Sequence, residues 1–225
     1  MRARKNAFTL LELLVVVVIV AVLASVLIPQ LGKLTLMSRS TQCISNLRQI
    51  GAAILSHAGD HNGLMPTAGD AIAYHAVSAE TGLPGWTEQL EPYLGTDRKI
   101  FVCPSSGPII PENAQYGYFL GCHAAYVATG GNAPVRVSLL AVPSKYILGG
   151  DIASGPMFTA TDADKDDYTQ NPAFAPMPRI FHGKKVNLVF ADGHVGTFAA
   201  FDRNAMTVRY GLRPDGTGYS YSDAN

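Results

Sequence analysis

The run FTLLELLVVVVIVAVLASVLI, residues 8–28, decides how the rest of the chain is read. Its 21 residues include three polar ones, Thr9, Glu12 and Ser25. As a helix rising about 1.5 Å per residue it covers roughly 30 Å, the hydrocarbon thickness of a bilayer. Arg2, Arg4 and Lys5 precede it, so the short leader is expected to stay in the cytoplasm and the bulk of the chain to cross. A cleaved secretory signal has the same basic start, and Val22-Leu23-Ala24 resembles its cut site. Two features argue against that reading. The apolar run continues through Val26, Leu27 and Ile28, and Glu12 costs about 2.5–3.5 kcal/mol on insertion scales if it lies mid-helix, a cost a disposable segment has no reason to carry.

Beyond Pro29 the apolar positions Leu31, Leu34, Met37, Ile44, Leu47, Gly51, Ile54 and Leu55 recur at three- and four-residue steps, the pattern of an amphipathic helix. With the preceding run this predicts one helix from about Phe8 to Ser56, carrying Pro29 as a kink and ended by the Gly, Asp, Asn and Pro of HAGDHNGLMP. Its single apolar stripe needs a folded head to lie against. The 225 residues suffice for one such anchor and one globular head with its own core. Lys+Arg and Asp+Glu balance at 17 each, so there is no basic footprint for nucleic acid.

Within the head, GWTEQLEPYLG (85–95) reads as a short helix carrying Trp86, Leu90 and Leu94 and closed by Gly95, and KYILGGD (145–151) as a strand. In KKVNLVFADGHVGTFAAFD (184–202), alternating apolar residues flank Asp192-Gly193, which predicts a hairpin with a two-residue turn. The expected class is α+β: a long N-terminal transmembrane and amphipathic helix packed on a small antiparallel sheet.

The stretch AFTLLELLVVVVIVAVL resembles the N-terminal signal of type IV prepilins and type II secretion pseudopilins. The resemblance implies cleavage between Ala7 and Phe8 by a prepilin peptidase and methylation of the new amino terminus. The cut places Glu12 as the fifth mature residue. Ala7 stands where the family prefers Gly, and Pro29 matches a proline frequent in pilin helices. Near the other end, FHGKKVNLVFADGHVGTF places Asp192-Gly193 nine residues after His182, which resembles the H-X9-DG signature of a prepilin-like group; CISNLRQIGAAILSHAGDHNGLMP and FVCPS resemble that group as well. These resemblances imply a leader at 1–7, a transmembrane helix at 8–28, its amphipathic continuation at 29–58 and a head at 59–225. They imply a single-pass protein of the inner membrane with an extracytoplasmic head, whose partners are the peptidase and other pilin subunits. Glu12 would then meet the amino terminus of a neighbouring subunit, where low dielectric strengthens the attraction. A monomeric, membrane-tethered protein that binds a ligand or metal through its head is the competing expectation.

Three clusters invite chemistry. Asp162, Asp164 and Asp166 alternate in an acidic loop that suits calcium, as in the heads of some pseudopilins, but no Gly follows Asp166 and Ala173 stands where an EF-hand closes with Glu, so a solvated acidic loop is the competing expectation. His182, Asp192 and His194 suit zinc if the hairpin brings them together, with Asp151 as a further ligand, whereas Asp192-Gly193 is also what a tight turn demands. Three cysteines allow one internal bridge: Cys103–Cys122 is the simplest pair within the head, while Cys43 and Cys103 are the two in the segments that resemble the prepilin-like group. No nucleophile elbow or phosphate loop occurs, so an enzyme is not expected.

Overall fold

The computed structural model describes residues 9–67, 82–105, 117–121, 135–140, 142–151, 182, 185–199, 202 and 204–207. The chain divides into two compact units, Met1–Ser38 and Arg39–Asn225.

The first unit holds most of the apolar part of α1, a helix assigned without interruption over Leu10–Asp60. Large apolar side chains from Leu10 to Met37 are all exposed, and the helix contains a window of mean hydropathy 3.2 with none of it buried. It is long and apolar enough to cross a membrane. Two of its hydroxyls bond back within the helix: Ser25 Oγ donates to the Val22 carbonyl at 2.7 Å and Thr35 Oγ1 to that of Leu31 at 2.9 Å.

In the second unit α1 changes character. Cys43, Leu47, Ile50, Ala53, Ile54 and Ala58 are buried at helical spacing, and Cys43 is the first buried side chain along the helix among those described. The predicted stripe therefore starts too early, because Leu31, Leu34 and Met37 are exposed. The helix also runs past Ser56 to Asp60. Left-handed Asn62 ends it, as Gly63 N–H reaches back to the Ala58 carbonyl at 2.7 Å.

The expected helix at 85–95 forms instead as two turns, α2 (Trp86–Gln89) and α3 (Glu91–Leu94). Pro92 has no N–H to return to Glu88, so the helix breaks at Leu90. Trp86 and Leu90 still bury, and the indole meets Phe101 edge-on at 5.5 Å. Phe101 belongs to a 3-10 turn, Arg98–Phe101, capped by the Asp97 side chain.

Among the described residues, four strands form an antiparallel meander in chain order: β1 (Tyr118–Leu120), β2 (Ile147–Asp151), β3 (Val186–Phe190) and β4 (Val195–Phe198). Every residue of β2 and β3 is buried. The β3–β4 hairpin is present, but its loop has three residues, not two. Gly193 N–H bonds the Phe190 carbonyl, Phe190 N–H bonds that of His194, and Gly193 takes φ 88°, the left-handed position of a type I turn followed by a bulge.

The helix reaches the sheet through a glycine. A Cβ on Gly51 would lie 2.5 Å from Val189 Cγ2, so α1 meets β3 where neither side has atoms to spare. Gly51→Leu is expected to destabilise the protein by about 1–3 kcal/mol despite the better helix propensity. Val189→Ala introduced with it should return part of the loss, as read by thermal unfolding of the detergent-solubilised chain.

Candidate functional site

At the start of α1, Thr9 and Glu12 hold each other. Thr9 N–H and Thr9 Oγ1 donate to Glu12 Oε2 at 2.9 and 2.8 Å, and Glu12 N–H donates to Thr9 Oγ1 at 3.2 Å. This is a capping box, with Thr9 as N-cap and Glu12 three residues on. The Thr-x-x-Glu spacing was present in the sequence as its signal. The acid thereby satisfies backbone donors at the exposed end of an apolar helix, where the macrodipole also favours it. Ala7 and Phe8 lie outside the described residues, and Pro29 lies within α1.

The head contains a second concentration of chemistry. Cys43 comes from α1, Cys103 from the segment after the 3-10 turn, Asp151 from the last position of β2, and His182 from the approach to β3. Their ligand atoms all lie within 4.8 Å of one another. The two sulfurs are 2.6 Å apart, Cys103 Sγ is 3.4 Å from His182 Nε2, and that nitrogen is 3.4 Å from Asp151 Oδ2. The His182 and Asp151 side chains are 3% and 0% exposed.

Local structure fixes each member. Gly117 lies so close to Cys103 that a Cβ there would come within 2.6 Å of the Cys103 nitrogen, and Gly117 N–H bonds the Phe101 carbonyl. Ser105 Oγ is 3.3 Å from His182 Nδ1, turning Nε2 towards the sulfur and the carboxylate. Asn187 N–H donates to Asp151 Oδ2 at 2.7 Å, while Asp151 Oδ1 is buried without a hydrogen-bond partner.

Burial pushes the Asp151 carboxyl up, against the pull of the imidazole. Burial alone would lower His182, but its bonds to Asp151 and Cys43 carry it up to about 9. As thiols, the cysteines polarise each other. The bond from Cys103 draws Cys43 down to about 6, and the same contact together with burial pushes Cys103 up.

The H-X9-DG spacing does not gather its residues into one constellation. His182 precedes β3 and belongs to the buried cluster; Asp192 and Gly193 follow β3 and form the exposed turn. Asp192 Oδ1 accepts from His194 N–H at 3.1 Å and lies 2.6 Å from His194 Nδ1, and His194 stacks on Phe190 at 4.2 Å. Of the zinc set expected from sequence, His182 and Asp151 converge, joined by two cysteines in place of Asp192 and His194. Asp162, Asp164, Asp166 and Cys122 lie outside the described residues.

Removing Asp151 would leave the His182 ring and the Asn187 N–H without their buried acceptor, whereas Asp192 serves an exposed turn. Asp151→Ala is therefore expected to cost about 1–3 kcal/mol and Asp192→Ala about 1 kcal/mol or less, measured by thermal unfolding at pH 7.

Residues 2–28 match the family model described as the prokaryotic N-terminal methylation motif, so the chain carries the prepilin-type signal. No curated protein and no solved structure matches the chain.

Proposed function

We propose that this chain is a prepilin-like structural subunit. A prepilin peptidase cuts it between Ala7 and Phe8, the new amino terminus is methylated, and the mature protein assembles with other pilin-type subunits into a type IV pilus or a type II secretion pseudopilus. Before assembly it is a single-pass protein of the inner membrane with its head outside the cytoplasm. The observation that carries this reading is the overlap of the methylation motif at residues 2–28 with the apolar helix from Leu10 onward, whose large apolar side chains are exposed and whose first turn holds Glu12.

The proposed mechanism is packing. An apolar helix with no buried side chain is at equilibrium in lipid or against other such helices, and transfer from one to the other costs little. Direction has to come from a polar term. Glu12 supplies it, because Oε1 takes no part in the capping box and is available to the amino group of a neighbour's Phe8. That ion pair forms only in the assembled state and only at one axial register.

The test is the mature N-terminal peptide, expected to begin at methylated Phe8; a start at Ser25 would mean a secretory signal instead. Two substitutions separate assembly from capping. Glu12→Ala is expected to reduce recovery in sheared or cross-linked fibres by tenfold or more while membrane insertion is retained. Thr9→Ala opens the box, costs about 1 kcal/mol at the helix end, and is expected to leave recovery nearly unchanged. Equal losses in the two variants would make Glu12 a cap and nothing more.

A further inference from the structure

We infer that Cys43 and Cys103 are joined by a disulfide in the mature protein, which ties α1 covalently to the segment before β1 and leaves His182 and Asp151 as a buried pair packed against the bond. The inference rests on the proposed extracytoplasmic location of the head for an environment in which such a bond persists.

Geometry chooses between the two chemistries open to this cluster. Two thiolates each about 2.3 Å from one tetrahedral zinc lie about 3.8 Å apart, whereas bonded sulfurs lie about 2.0 Å apart. In the structure both cysteines are free thiols, but their 2.6 Å separation is nearer the bonded distance than the metal-bridged one and inside the contact distance of atoms that are not joined. Both residues are buried, and the Gly117 approach leaves the Cys103 backbone little room to retreat to a metal-binding separation.

The step balances against a disulfide oxidant, protein-borne or small-molecule, acting as the head closes. The Cys43 thiolate attacks one sulfur of the oxidant and expels the other as a thiol. Cys103 then attacks Cys43 in the mixed disulfide and expels the second oxidant thiol. Two S–H bonds are lost and one S–S bond is formed in this chain; the oxidant gains two electrons and two protons.

Position gives the bond its purpose. The cysteines are 60 residues apart, and Cys43 is the first buried side chain along α1 among those described. A cross-link at the first buried position among those described holds α1 to the head where its buried stretch begins.

The experiment uses the full chain, extracted from the membrane without reductant and then unfolded in guanidinium chloride with iodoacetamide present, so that every free thiol, buried ones included, is blocked before digestion. The expected result is one peptide pair linking Cys43 to Cys103, lighter than the separate thiol peptides by two hydrogens, and a thermal midpoint that falls by about 10 °C on reduction. Complete alkylation of both cysteines in the unreduced protein would overturn the inference, as would a Cys103–Cys122 link. One equivalent of zinc in the purified protein, with both thiols alkylated only after a chelator is added, would overturn it in favour of a metal site. Because the mapping is done on the unsubstituted protein, it does not depend on a variant that folds. The same digest reports the N-terminus. Methylated Phe8 with both thiols alkylated removes the cross-link alone; an uncut leader with Cys43 linked to Cys103 removes pilin-type processing alone.

Discussion

Helix and sheet in the head meet at Gly51 and Val189, and most of the interior follows from how closely that contact is made. Without a side chain at Gly51, β3 comes near enough for Val189 to share one interior with Leu47, Ile50 and Ile54 of α1. The sheet must then be covered on its other side too, since β2 and β3 bury every residue. Trp86, Leu90, Phe101 and Met65, from short turns and connecting segments, belong to the same core. Short irregular elements thus do work that a second long helix would do in a larger domain.

The polar interior obeys a different rule. Asp151 ends β2 at a position where the ladder buries it, and it accepts the Asn187 amide of β3. Asn187 in turn accepts from Thr197 Oγ1 of β4 at 2.7 Å. A polar line thus crosses three strands, from His182 through Asp151 and Asn187 to Thr197. Replacing it with apolar side chains would remove a desolvation cost, but removing one member leaves a charge or a dipole stranded.

The parts of this structure that were legible from sequence are those written in periodicity. Two halves of α1 read directly, because an all-round apolar run and a one-sided stripe are long signals, and the β3–β4 hairpin read from alternation around Asp192-Gly193. β1 did not, since Tyr118–Leu120 is too short to show a period. The break at Leu90 lay in plain view as Pro92 but was outweighed by the apolar spacing around it. The buried cluster was the least legible, because its four residues come from four separate segments and only the folded sheet brings them together. The nine-residue interval that drew attention to His182 and Asp192 measures the passage of one strand, which separates those residues.

The sheet's outer members are its shortest ones. Among the described strands, β1 and β4 stand at the edges with three and four residues, and β4 is only half buried. An exposed edge is a template on which another copy can continue the ladder, and a template this brief offers few backbone bonds to an incoming strand. For the subunit proposed above, this brevity limits strand-by-strand association between heads to a few backbone bonds at either described edge.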